Sequence, residues 1–184
     1  MITIDAGDYF LTEPDEKYAG QISLFRKEYL EAGSSMDGCG PLRRCEDPGE
    51  YIVRCKSYTS VETLPSDWVI TTQFMLVRKS DDRLVGMIQV RHYSNDYISR
   101  YAGHIGYSVR PSERRRGCAK LMLKAVLPYA REVGLDRVLI TCVEGNIGSE
   151  KTIRSAGGVY ESTVEEPERG RKLKRFWIEL DKTE

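Results

Sequence analysis

The chain has 184 residues, with 28 Lys plus Arg against 28 Asp plus Glu and a formal net charge of zero. That length suits one domain, residues 1–184, around one sizeable core. The neutral balance excludes a global field able to hold nucleic acid or an anionic membrane. No apolar run reaches the roughly 18 residues of a membrane span, and MITIDAGDYF lacks the basic and apolar regions of a signal peptide. A soluble, cytoplasmic protein is expected, with no membrane or nucleic-acid partner.

Taken in order, TEPDEKYAGQISLFRKEYL is the first helix signal: Thr12 is placed to cap, Pro14 suits the first turn, and Tyr18, Ile22, Phe25 and Tyr29 recur at helical spacing. GSSMDGCGPLRRCEDPGE follows, rich in glycine and turn formers, and reads as a long surface loop before a second helix opening at Asp47, Pro48 and Glu50. TTQFMLVRK and RLVGMIQVRHY, joined by SDD, read as a hairpin, and GHIGYSVRP as a strand stopped by proline. From Gly117 to Val133 a helix carries Ala119, Met122, Leu123, Val126, Ala130 and Val133 on one face, and Pro128 inside it predicts a local irregularity. DRVLITCVEG is a short apolar strand, NIGSEKTIRSAGG a short helix, and VYESTVEE with KLKRFWIEL a closing hairpin around PERG. The order specifies an α/β fold with a mixed sheet and a central β-α-β unit.

The cysteines, Cys39, Cys45, Cys55, Cys118 and Cys142, are odd in number and contain no CxxC pair. They read as reduced thiols, and with two histidines at no ligand spacing no metal site is expected.

The chemistry concentrates in VRPSERRRGCAK. A helix start carries unpaired N–H groups and a partial positive charge, so a glycine-containing turn from strand into helix is an anion seat. Gly117 and Ala119 leave room for close backbone approach. Neither GxxxxGK[S/T] nor GxGxxG is present, which excludes a P-loop and a dinucleotide fingerprint.

Arg114-Arg115-Arg116-Gly117-Cys118-Ala119 resembles the Arg/Gln-x-x-Gly-x-Gly/Ala signature of the GNAT superfamily of acyl-CoA-dependent N-acetyltransferases. Val109-Arg110-Pro111 precedes it as in that family, Asn146 stands three residues before the small Ser149, and Gly157 or Gly158 closes the short helix. The resemblance spans Gly103 to about Tyr160. It implies the GNAT fold, a mostly antiparallel sheet of about six or seven strands with helices on both faces, and acetyl-CoA as co-substrate.

By the same resemblance, main-chain amides from Arg115 through Arg116, Gly117, Cys118 and Ala119 to Lys120 hold the pyrophosphate, and the arginines, Arg114 included, assist. The strand edge Tyr107, Ser108, Val109 pairs with the pantetheine arm, which Asn146 and Ser149 touch from the other side. A main-chain N–H near Tyr107 or Ser108 polarises the thioester carbonyl, although Tyr107 equally suits plain core. The reaction implied is direct attack of a primary amine, from a small molecule or a peptide, on the acetyl thioester.

An alkyl amine of pKa about 10.4 is less than about 0.1 % neutral at pH 7, so a proton acceptor is needed. Where many members carry a glutamate, this chain has His104, read either as the base or as a hydrogen-bonded sheet histidine. Glu144 is the alternative base. The tyrosine that often serves as general acid is replaced by Ile153, which leaves Ser149 or water to protonate the thiolate. Cys142 beside the thioester admits an acyl-cysteine route, and His92 has no assigned chemistry. Ile153 also admits a non-catalytic acyl-CoA-binding or sensory module as the alternative function. Homodimers are common among the relatives.

Overall fold

The structure, a computed structural model, describes residues 1–180. It opens with a hairpin that the sequence reading did not anticipate, β1 (Thr3–Ala6) and β2 (Tyr9–Thr12), turning at Gly7 with φ +69°. Thr12 is therefore the end of a strand rather than a cap. The cap is Asp15, whose Oδ1 accepts from Lys17 N–H (3.1 Å) at a 3-10 turn, Glu16–Tyr18, that runs into α1 (Ala19–Glu31). Tyr18, Ile22, Phe25 and Tyr29 are all at most 1 % exposed, as the helical spacing requires.

The segment between α1 and α2 is not a surface loop. Cys39, Leu42 and Cys45 are buried with the α1 and α2 aromatics, and Arg26 ties the chain down through the carbonyls of Leu42 (3.1 Å) and Arg43 (3.2 Å). Its small apolar residues were hidden among turn formers. α2 (Pro48–Ser57) begins as expected, with Asp47 Oδ2 accepting from Glu50 N–H at 2.7 Å and Pro48 in the first turn.

β3 (Thr71–Arg78) and β4 (Arg83–Arg91) form the central hairpin, and β5 (Ile105–Val109) pairs antiparallel with β4. α3 (Cys118–Glu132) follows, then β6 (Arg137–Val143), α4 (Ile147–Ser155), β7 (Val159–Glu166) and β8 (Arg171–Glu179). The eight strands divide into a five-stranded sheet, β1-β2-β3-β4-β5, and a three-stranded sheet, β6-β8-β7. α3 runs unbroken through Pro128, because Pro128 and Lys124, whose carbonyl loses its partner, both lie on the exposed face where water serves instead.

Strand alternation sends Phe74, Leu76, Ile88, Val90 and Ile105 against Met122, Leu123, Val126 and Ala130 of α3, and Met75, Val77 and Met87 against α1 and α2. Each of these side chains except Ala130 stabilises the fold by roughly 1.5–3 kcal/mol relative to exposure. Helices thus cover both faces, as expected. All five cysteines are free and buried. No helix among the described residues is long and apolar enough to cross a membrane.

Candidate active site

β5 and β6 lie side by side in chain order of the β-α-β unit but belong to different sheets. They touch at one end. His104 N–H donates to Leu139 O (2.7 Å), and Leu139 N–H donates to His104 Nδ1 (2.9 Å). Gly103, at φ +68°, presses on the same strand: a Cβ there would sit 2.5 Å from Leu139 O. Beyond this apex β5 pairs with β4 alone. Arg110 N–H donates to Val85 O, and Gly106 and Ser108 stand opposite Gln89 and Met87. Antiparallel alternation therefore turns the main-chain groups of Ile105, Tyr107 and Val109 into the gap.

The open end of the gap leads to the arginine run. A 3-10 turn, Pro111–Glu113, is followed by Arg115 at φ +63° and Gly117 at φ +82°, and α3 makes its first bond from Leu121 N–H to Gly117 O (3.0 Å). Among the described residues the six consecutive N–H groups from Arg115 to Lys120 have no hydrogen-bond acceptor. A Cβ built on Gly117 meets nothing within 4 Å, so the space in front of them is open. This is a concentrated anion seat at the positive end of a 15-residue helix.

The basic side chains there are mostly committed elsewhere. Arg114 Nε donates to Val109 O (3.2 Å) and its guanidinium lies over the Tyr29 ring (5.5 Å). Arg116 Nη1 lies 3.1 Å from Glu113 Oε2, a carboxylate that also holds Arg78 (2.9 Å) and Arg83 (3.0 Å). Arg115 and Lys120 are exposed, and Cys118 is turned into the core.

On the α3 face of the gap Tyr107 reaches across to α4, its hydroxyl 2.8 Å from Ser149 Oγ. Burial pushes the Tyr107 hydroxyl up to about 12, with Ser149 and Thr152 opposing. Asn146 caps α4, its Oδ1 accepting from Ser149 N–H at 3.1 Å. The structure thus brings Tyr107, Asn146 and Ser149 to one gap.

His104 has no free lone pair. Nδ1 accepts from a main-chain N–H, so the proton sits on Nε2, which donates to Ser94 Oγ (2.9 Å). Burial, reinforced by Arg91 and Arg137, lowers its pKa to about 4. Ile153 is wholly buried against Gly158. Cys142 is a core thiol pushed up by burial, Glu144 is exposed at the strand end, and His92 shares a polar cluster with Thr72 Oγ1 (2.9 Å) and Tyr129 OH (3.4 Å).

Three residues that sequence reasoning missed lie on the α1/α2 face. Gly38 rests on the Gly106–Tyr107 peptide, where a Cβ would be 2.1 Å from Gly106 O. Gln73 and Gln89, opposite each other in register, interrupt two apolar strands. Gln73 Nε2 lies within hydrogen-bond distance of the carbonyls of Gly38 (2.9 Å), Ile88 (3.1 Å) and Phe74 (3.2 Å), its two N–H groups shared among them, which aims its unpartnered Oε1 toward Gly40. The Gln89 amide, opposite Gly106, makes no hydrogen bond among the described residues. Arg91, next on that face, donates to Gly103 O (2.8 Å), and burial lowers its pKa to about 10. The signal available was a glutamine inside each of two apolar strands.

No curated protein matches the sequence. Among solved structures, the ribosomal-protein-S5-alanine acetyltransferase from Vibrio fischeri superposes with a TM-score of 0.76 at 13% identity, covering 98% of each chain. The Salmonella typhimurium acetyl transferase that modifies the N-terminal serine of ribosomal protein L7/L12 gives 0.70 at 16%, covering 98% of this chain and 100% of the other. Mycobacterium smegmatis RimJ, in complex with CoA-disulfide, gives 0.72 at 16%, covering 97% and 87%. The Acetyltransferase (GNAT) domain profile matches residues 44–159, well over half of the chain, and the protein belongs to that family of acetyltransferases.

Proposed function

We propose that the chain transfers the acetyl group of acetyl-CoA to the primary α-amine of a protein or peptide by direct attack of that amine. The observation that carries this reading is the run of six unpaired N–H groups, Arg115 to Lys120, opening beside the free edge of β5. An elongated ligand with a diphosphate near one end and an amide-bearing arm fits that pair of features. Backbone donors from 115 to 120 would hold the diphosphate, and the Tyr107 main chain with the Val109 N–H would offer the arm a strand edge, the Val109 carbonyl being taken by Tyr29 and Arg114. Asn146 and Ser149 would flank it from α4. Acetyl-CoA supplies the activated acyl group as a thioester.

The chain's own contribution is to position the acceptor nitrogen. With the His104 lone pair occupied, an acceptor that is already partly neutral is favoured. An α-amine of pKa about 7.7–8.0 is about a tenth neutral at pH 7, against less than about 0.1 % for a lysine side chain. Use of His104 as the base requires it first to release Leu139. Ser149, hydrogen-bonded to Tyr107, would begin a hydroxyl relay to the departing thiolate. The names of the V. fischeri and S. typhimurium proteins, which specify an alanine and an N-terminal serine, support the same acceptor class.

The test is calorimetry with acetyl-CoA, followed by thiol release with hexapeptides starting in free alanine or serine, with their N-acetylated twins and n-propylamine as controls. Micromolar acetyl-CoA binding and turnover confined to the free α-amine peptides is expected. Turnover of n-propylamine at equal kcat/KM removes the peptide assignment, and no binding of acetyl-CoA removes the reading altogether.

A further inference from the structure

Near the apex of the gap, the segment Ser66–Val69 before β3 and the segment Tyr93–Tyr97 after β4 face each other across an open groove of about 530 Å³. Trp68, Tyr93 and Tyr97 line it and are 44 %, 44 % and 40 % exposed. The walls are fixed in advance. Trp68 stacks one face on Tyr58, with ring centroids 4.7 Å apart and planes 19° from parallel, which leaves its other face open. Tyr97 OH donates to Glu166 Oε1 (2.7 Å), and Asn95 Nδ2 donates to Asp67 O (3.4 Å), tying one wall to the other.

Asp67 and Asp96 also line the groove, and neither lies in an ion pair among the described residues. No lysine or arginine lines it. Two carboxylates without counter-ions beside three aromatic rings attract a cation by charge and by the ring quadrupoles, and repel an anionic segment.

The groove is also in reach of the reaction. Tyr93 is four residues along the chain from Gln89, which stands opposite Gly106 at the gap. β4 ends at Arg91 and the chain bends at His92 and Tyr93, so the separation is no more than about 14 Å, the span of up to about four extended residues. We propose that the groove binds a lysine or arginine side chain at about the fourth position of the acceptor polypeptide, so that the enzyme selects basic N-terminal segments. This inference rests on the N-terminal amine reading given above.

Two alanine-starting hexapeptides test it on the full chain, one with lysine and one with glutamate at position four and otherwise glycine. The lysine peptide is expected to show about tenfold higher kcat/KM, carried by KM. In Asp67→Asn/Asp96→Asn, and separately in Trp68→Ala, the ratio should fall to within about threefold, with acetyl-CoA affinity in calorimetry unchanged. Equal kcat/KM for the two peptides in the parent, or an unchanged ratio in the double variant, overturns the proposal.

A second measurement needs no turnover. The lysine peptide should quench indole fluorescence in the parent and not in Trp68→Phe, and a quench that is absent or that survives that substitution also overturns it. A parent that quenches but does not bind acetyl-CoA preserves the groove and removes the function on which it was built.

Discussion

His104 and Leu139 exchange two hydrogen bonds, one through the His104 main chain (2.7 Å) and one through its imidazole Nδ1 (2.9 Å), and this exchange is the hinge from which β5 and β6 part. An imidazolium cannot accept the second bond. Burial and the nearby Arg91 and Arg137 therefore hold the pKa at about 4, against 6.5 for the free side chain. Between those two values the unfolded chain takes up a proton that the folded chain refuses. Stability is thus fully present above about pH 6.5 and falls as the pH drops toward 4. The loss from this group is on the order of 3 kcal/mol. Urea unfolding at pH 7.5, 5.5 and 4.5 should show a steeper decline for the parent than for His104→Gln, which shares all its carboxylates. Parallel declines would contradict the assignment.

The same variant separates positioning from proton transfer. Glutamine can accept from Leu139 N–H but cannot act as a base. His104→Gln is expected to keep kcat at pH 8 within about tenfold, and a loss on the order of 10² to 10⁴ would instead mark His104 as the base.

At the mouth of α3 the backbone, more than the arginines, is expected to set cofactor affinity. Gly117 has φ +82° with open space around it, so Gly117→Ala is strained by conformation alone, by about 1–2 kcal/mol. That should weaken acetyl-CoA binding about tenfold, and Gly117→Glu, which adds a carboxylate to the anion seat, by about a hundredfold. Arg114→Ala, whose guanidinium is held by Val109 O and Tyr29, should cost less than about fivefold. Calorimetric affinities in the reverse order would show that side chains dominate.

Glu113 supports that mouth from beneath. It is 5 % exposed and faces Arg78, Arg83 and Arg116. Removing the carboxylate leaves three guanidinium groups around a buried site, so Glu113→Ala should lower unfolding free energy by about 3 kcal/mol. Glu113→Gln, which keeps the hydrogen-bond acceptor, should cost less than half of that in the same denaturation assay.

Local signals carried much of this architecture, and their limits are physical. Asp47-Pro48-Glu50 capped α2 as read, and the apolar spacing of α3 located its buried face. The arginine and glycine run marked the helix mouth because its chemistry is contiguous in the chain. The hairpin β1–β2 escaped notice because its strands are four residues each, and Thr12 and Pro14 compete for it as helix-start signals. His104 illustrates the deeper limit. Its residue type and strand position suggested a base, but whether a lone pair is free depends on Leu139, 35 positions away. Gln73 and Gln89 stood in plain view as polar residues in apolar strands, yet what lies above them is a loop distant in sequence.

Gly38 is the sharpest case of that dependence and gives the last prediction. In MDGCG it resembles any turn glycine, but a Cβ at this position would lie 2.1 Å from Gly106 O and 2.3 Å from Tyr107 N. The contacts are main chain, which cannot swing aside, and φ is +73°. The loop is held on β5 by Ser108 Oγ donating to Asp37 O (2.5 Å) and on β3 by Gln73 Nε2 donating to Gly38 O (2.9 Å). Gly38→Ala must therefore lift the loop, break both bonds and open the floor beside Tyr107, whereas Gly33→Ala, at φ +59° with nothing within 4 Å, bears the conformational strain alone. Gly38→Ala should lose at least about 3 kcal/mol of stability and most of its turnover, and Gly33→Ala about 1 kcal/mol with turnover intact. Similar melting temperatures and similar kcat for the two variants would show that the α1–α2 loop does not rest on β5 in the working enzyme.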